Sequence, residues 1–189
     1  YILVNGIYFL KNEQKLNIKI GPSMRYSKLF HAEVSPKNEN ALLILLPFID
    51  YHLEIILRMI DGLNIDAEIL IKFHPATDIK RYSQRIQKNM KIVDDDIYTL
   101  FERVRCVVGI GTGALVEATS LGIPVIDIEI DGINHKYLPE FGRGIIWEYA
   151  SNKAEIYTLM TYFNKLLDTN PDLIKSIGKK HKEMFFCEP

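Results

Sequence analysis

Two stretches of this chain carry residue types suited to holding an anion. The first follows the apolar run Cys106-Val107-Val108 and reads Gly109-Ile110-Gly111-Thr112-Gly113-Ala114-Leu115-Val116-Glu117-Ala118. An apolar run, a glycine-containing turn and a helical stretch make a strand-to-helix turn. The helix start it creates has unpaired N–H groups and a partial positive charge, which is the backbone chemistry that receives a phosphate. Gly111 and Gly113 let the main chain approach the anion, and Ala114 keeps the helix start uncrowded. Thr112 either adds a hydroxyl donor or caps the helix. Glu117, about one turn into the helix, is placed to reach a ribose or sugar hydroxyl. The pattern is neither GxGxxG nor a Walker loop, which argues against a standard dinucleotide or P-loop site. A tight turn with a capping threonine would account for the same residues.

The second stretch is Glu68-Ile69-Leu70-Ile71-Lys72-Phe73-His74-Pro75. Residues two apart share a face of an extended strand, so Lys72 and His74 lie together, with Pro75 fixing the turn. The pair could neutralise a phosphate, or His74 could act as a general acid; an exposed histidine ahead of a turn proline is the plainer alternative. Among the acidic clusters, Asp94-Asp95-Asp96 has Mg²⁺-ligand chemistry but reads better as a solvated loop capping a helix that begins near Ile97. Asp127 and Glu129 share a strand face, and either could accept a sugar hydroxyl or simply belong to a solvated loop, with Asp131-Gly132 marking a turn. Arg143, between Gly142 and Gly144, could bring a guanidinium to a diphosphate or simply occupy a surface turn. His31, His52, His135 and His181 show no mutual ligand spacing for zinc, and nothing in the sequence requires a cofactor or a divalent metal.

Composition narrows the function classes. The 189 residues carry a formal charge of −1, with 48% hydrophobic and 25% charged residues. That is the profile of one ordinary globular α/β domain, with no bulk electrostatic case for nucleic acid. Cys106 reads as a buried free thiol, and it and Cys187 lack metal-ligand or CxxC spacing. The longest apolar stretch, residues 41–49, is about half of a membrane span. No signal peptide is visible, although the chain begins at Tyr1 rather than Met. Near the end, Tyr157, Tyr162 and Phe163 read as core-facing helix positions, and Lys175, Lys179, Lys180 and Lys182 as a solvated face.

Regular elements must position these residues. Short apolar strands are expected at 41–46, 68–73, 91–93, 106–108 and 124–128. Helices are expected at 50–62, 78–89, 97–103, 115–121, 151–168 and 171–186. Residues 1–40, with a half-buried strand at 16–20 after a polar turn at 11–15 and a polar linker at 35–40, read as an appendage; residues 41–189 read as the compact domain. Strands alternating with helices indicate βαβ units, hence a Rossmann-like, doubly wound parallel sheet of five to six strands with helices on both faces. Ligands of such sheets bind outside the carboxyl ends of the strands, where Lys72, His74, the Gly111–Gly113 turn and both acidic clusters fall.

The ordered motifs "ILIKFHP", "KIVDDDIYTLFERVRCVVGIGTGALVEATSLGIPVI" and "GRGI" resemble the C-terminal half of GT-B glycosyltransferases. Those of bacterial capsule and surface-polysaccharide synthesis are the most similar: sialyltransferases, capsule Kdo transferases and CDP-glycerol glycerophosphotransferases. The resemblance spans about residues 41–148. The "EAxxxGxPVI" piece is shared by many GT-B proteins, while the His-Pro is the narrower signal. It implies a nucleotide-sugar donor domain in which His74 contacts the donor phosphate or assists departure of the nucleotide. Gly111, Thr112 and Gly113 would cradle that phosphate, and Glu117 would sit near the donor. Where relatives often have Ser-Ser or Ser-Thr, this chain has Gly111-Thr112, leaving open whether a hydroxyl or only N–H groups hold the phosphate. The resemblance also implies that residues 1–40 are the end of a preceding domain and its linker. A saccharide or lipid-linked acceptor would bind through a missing N-terminal domain, in a cytoplasmic enzyme able to associate with the inner face of the membrane. A GT-B-like nucleotide-sugar epimerase and a non-catalytic α/β ligand-binding module are the other readings.

Overall fold

The computed structural model describes residues 2–10, 18–32, 40–130 and 137–189. The expected polar turn at 11–15, most of the linker at 35–40, the Asp131-Gly132 turn and His135 lie outside the described residues. A six-stranded parallel sheet forms the centre, built from β3 (Ala41–Leu46), β4 (Glu68–Phe73), β5 (Met90–Ile92), β6 (Cys106–Gly109), β7 (Val125–Ile128) and β8 (Trp147–Ala150), in the order β5-β4-β3-β6-β7-β8. Two short strands near the start, β1 (Ile2–Val4) and β2 (Ile18–Ile20), pair with each other instead. The five expected strands are all present within a residue or so. The sixth, β8, has no apolar run to announce it: Trp147 and Ala150 are buried but Glu148 and Tyr149 are only half-buried.

Alternation along the strands sorts the core into two layers. In β3, Leu42, Ile44 and Leu46 face one side, where they meet α2 (Asp50–Ile60) through Leu53, Ile56 and Leu57, and α6 (Lys153–Thr169) through Ile156, Met160 and Phe163. Ala41, Leu43 and Leu45 face the other. They meet α4 (Ile97–Phe101) through Leu100 and Phe101, α5 (Gly113–Ser120) through Leu115 and Ala118, and α7 (Pro171–Phe185) through Ile174 and Ile177. A strand apolar on both faces must be covered on both, and β3 is buried at all six positions. The helix expected over 78–89 is shorter. It is one turn, α3 (Ile79–Tyr82), capped by Asp78 and followed by a 3₁₀ turn at Ser83–Arg85. Only Tyr82 is buried there, and a polar stretch has no apolar stripe to extend a helix against the sheet. Tyr157 and Tyr162 are exposed rather than core-facing. The inward stripe of α6 runs through Ile156, Met160 and Phe163, and a residue one step away is turned by about 100°.

The strand order locates the crevice. From β3 the chain winds outward through β4 and β5, with α2 and α3 on the first layer; from β6 it winds the other way through β7, with α5 on the second. The connections leaving the carboxyl ends of the adjacent strands β3 and β6 therefore depart to opposite faces and leave a gap between them. This is the switch point at which open α/β sheets bind ligands.

Outside the sheet, α1 (Ser27–His31) buries Leu29 in the second layer, and the tail after α7 returns to the start of the chain. Ser23 N donates to Cys187 O (2.9 Å), Cys187 N donates to Ser23 Oγ (3.0 Å), and Ser23 Oγ donates to Asn5 O (3.0 Å). The rings of Tyr8 and Phe185 lie 4.3 Å apart.

Candidate functional site

The Gly111–Gly113 turn stands at the switch point. Val108 pairs with Ile44 of β3, so the chain leaving β6 emerges beside the end of β3. Gly111 has φ +42°, in the left-handed region that a side chain disfavours. Thr112 is the residue preceding α5, with extended backbone and no capping bond from its side chain. Of the two roles open to Thr112, capping is therefore not the one adopted, and its hydroxyl is available to a ligand. The first N–H groups of α5 have no partner within the helix by its geometry, Gly113 is exposed, and a side chain added there would meet nothing within 4 Å. Among the described residues, none crowds the helix start at Gly113.

Across the end of β3, His74 N donates to Leu46 O (2.9 Å), which fixes the histidine beside that strand. The amide of Ala76 donates to His74 Nδ1 (3.1 Å), so Nδ1 serves as an acceptor and Nε2 is the nitrogen that can donate outward. His74 and Pro75 are both exposed. The imidazole leans on the half-open ring of Phe48, with centroids 5.0 Å apart. Phe48 follows Pro47 directly after β3; its position after a strand-ending proline is the sequence signal by which it could have been found. The Lys72 ammonium is used differently: it donates to Asp95 O (2.8 Å) and lies 3.9 Å from Asp94 Oδ1, bracing the end of β4 against the loop after β5. In that loop Asp96 caps α4 by accepting from Tyr98 N (3.1 Å).

The other candidates are spread around this gap. Glu117 points from α5 toward α4, where Tyr98 Oη donates to its Oε2 (2.5 Å). Burial raises the Glu117 pKa above the usual carboxylate range, against the Tyr98 bond, which lowers it. Arg143 does not reach freely from its glycine-flanked turn. Its Nε donates to Glu148 Oε1 (2.8 Å), and its guanidinium lies 5.1 Å over Tyr149 and 5.7 Å over Trp147. Asp127, read from sequence as a sugar-hydroxyl acceptor, is instead turned inward, 1% exposed, with Oδ1 accepting from Gly111 N (3.0 Å). Glu129 accepts from Ser151 Oγ (3.2 Å). The structure thus gathers His74, Phe48, Thr112 and the start of α5 around the end of β3, while the charged ends of Lys72, Glu117 and Arg143 are bonded to neighbouring residues. A cavity of about 1300 Å³ lies elsewhere, among residues that precede β6 and β7, such as Val104, Ile123 and Pro124, at the opposite edge of the sheet.

No family model matches the chain, and no curated protein matches it. Solved structures do. A glycosyltransferase from Rickettsia africae ESF-5 has a TM-score of 0.58 at 15% identity, covering 97% of this chain and 59% of that one. HepE of Anabaena, solved in complex with UDP-glucose, has 0.59 at 13% identity, with 97% and 59% covered. The wall teichoic acid polymerase TagF has 0.50 at 14%, with 98% and 52% covered. The chain thus spans between half and three-fifths of the length of these structures, and at such identities the likeness is one of fold. This chain has the Rossmann-like α/β fold found in GT-B glycosyltransferases.

Proposed function

We propose that this chain is the nucleotide-sugar donor-binding half of a glycosyltransferase of surface-polysaccharide synthesis, with residues 41–189 as the donor domain and residues 1–40 as the end of a preceding domain and its linker. The observation that carries this reading is the uncapped start of α5, open at the switch point and faced across β3 by His74 with Nε2 outward. The amides of Gly113 and Ala114, with the Thr112 hydroxyl, supply a partial positive charge and donors in a fixed geometry for a donor phosphate. His74 Nε2 donates to the same phosphate and stabilises the charge that grows on the departing nucleotide as the sugar is transferred. Glu117, oriented by Tyr98, keeps one carboxyl oxygen for a ribose or sugar hydroxyl. Lys72 steadies the site's rim, Pro75 fixes the His74 backbone, and Arg143 borders the site from the β8 side. The UDP-glucose held by HepE, a protein of the same fold, supports a nucleotide-sugar donor. The acceptor, a saccharide or lipid-linked chain, would enter from the domain that precedes this one. No helix among the described residues is long and apolar enough to cross a membrane.

Calorimetric titration with CMP, UDP and CDP tests the reading. At least one should bind, and His74→Ala should weaken it about tenfold to a hundredfold, the worth of a hydrogen bond to a charged group. Thr112→Val keeps the branched shape and removes only the hydroxyl, so its loss should be smaller. Equal affinities in the wild type and both variants would sink the proposed site.

A further inference from the structure

Asp127 lies at the centre of β7, level with Gly109 of β6 on one side and Tyr149 of β8 on the other. It is 1% exposed, and of its two oxygens only Oδ1 has a partner, the amide of Gly111; Oδ2 is buried with none. An ionised carboxylate offers about four acceptor sites, and leaving most of them dry is costly, whereas a protonated one asks for less. The Gly111 amide, directed inward to this carboxyl, is withdrawn from the solvent side of the turn. The donors left to face a ligand are those at the start of α5.

We propose that Asp127 is a positioning residue for the phosphate turn, bracing it through the Gly111 amide, and that phosphate binding at the turn is accompanied by uptake of one proton on the Asp127 carboxyl. This rests on the reading of the turn as a phosphate site. An ionised Asp127 would place a negative charge directly behind the amides that receive a negative ligand. A bound phosphate therefore favours the neutral carboxyl, which still accepts the Gly111 N–H bond through its carbonyl oxygen. The proton comes from solvent, and no other bond changes. Burial pushes the Asp127 pKa up to about 7, with the Gly111 N–H acting in the opposite direction, so the carboxyl is poised to exchange a proton near neutrality.

Few charged groups face it. From β8 comes Tyr149, whose hydroxyl pKa is raised chiefly by burial. Arg143 lies over the Tyr149 ring, bonded to Glu148 and 3.7 Å from Glu140. On its own strand's continuation Glu129 is bonded to Ser151, on α5 Glu117 is bonded to Tyr98, the turn has no titratable side chain, and the titratable group of β6, the Cys106 thiol, lies in the opposite layer, where burial raises its pKa. Sign follows from linkage: the bound-state pKa exceeds the free one, so affinity is full below pH 7 and declines above it.

The test compares the full chain with Asp127→Asn, which keeps an acceptor for Gly111 but cannot titrate. CMP, CDP and UDP are titrated at pH 6 and pH 8 in buffers of different ionisation heat. The ligand's own phosphate ionisation near pH 6 is common to both proteins and cancels. The wild type should lose about tenfold more affinity than the variant over this interval and take up close to one more proton at pH 8. Equal pH slopes and proton counts, with binding intact, would overturn the role of Asp127 and leave the phosphate turn standing. Absence of binding to the wild type would overturn both. If the variant does not fold, the Asp127 carboxyl resonance of the wild type, titrated with and without CDP, decides: a raised pKa with CDP supports the proposal, and an unmoved one overturns it.

Discussion

His181 shows how a single residue sets a pH limit on the molecule. It is fully buried, with Nε2 donating to Phe141 O (2.7 Å) and Nδ1 buried without a partner. The adjoining Gly142 has φ +86°, and a side chain there would come within 2.7 Å of Ile177 and 3.0 Å of His181 Nε2, so the neighbourhood has no room to rearrange. Burial lowers the imidazole pKa below its ordinary value. In the unfolded chain the ring protonates near pH 6.5, where the folded state still resists, so the unfolded state binds more protons and stability falls as the pH drops. Urea unfolding should show a constant contribution above about pH 6.5 and a progressive loss as the pH falls below it, which a His181→Leu variant should lack. Residue-scale features divide by range. His74, Thr112 and the glycines were legible because a strand end and a helix start are local patterns. The inward turn of Asp127, the Tyr98–Glu117 bond and the Phe48–His74 contact join residues 16 to 26 apart, and no periodicity announces them.

Between elements, α7 approaches the end of α5 closely. Gly178 makes it possible: a Cβ there would lie 2.7 Å from Gly122 N and 2.8 Å from Thr119 O, both backbone atoms. Gly122 is itself held at φ +77°. In an isolated helix, glycine to alanine would gain about 1 kcal/mol. Here the added methyl has no side chain to push aside, and overpacking of this kind costs about 1–3 kcal/mol. Gly178→Ala should therefore lower stability by up to about 2 kcal/mol despite the better helix former, measurable as a reduced urea midpoint with an unchanged slope. The elements themselves were largely readable, because β3 and β6 are continuous apolar runs, β4 and β7 are apolar but for Glu68, Lys72 and Asp127, and α2, α6 and α7 carry periodic stripes. What escaped was what tertiary pairing alone decides. β8 is a strand because β7 offers an edge to Trp147–Ala150, and the stretch after Asp78 is mostly not helix because it has no apolar face to bury.

For the whole molecule, the start of the chain and its end form one joint. Ser23 is its centre, giving a hydrogen bond to Asn5 and exchanging two with Cys187. Ser23→Ala removes the donor to Asn5 and the acceptor for Cys187 N, at about 1–2 kcal/mol. The expected outcome is faster amide exchange at residues 18–26 and 184–188, with the sheet strands unchanged; equal protection in both proteins would show that the joint does not depend on this hydroxyl. The joint also has a mechanical reading. Residues 2–10 and 18–32 meet the sheet domain through Leu29 in the second layer, through Lys28 Nζ, which donates to Asp96 Oδ2 (2.9 Å), and through the end of α7, where Phe185 meets Tyr8 and Lys182 Nζ donates to Leu29 O. One of these attachments is α7, which packs on the far end of α5 where Gly178 meets Gly122. α5 is thus held at both ends: the Gly111–Gly113 turn leads into one, and α7, which also meets the start of the chain, packs on the other.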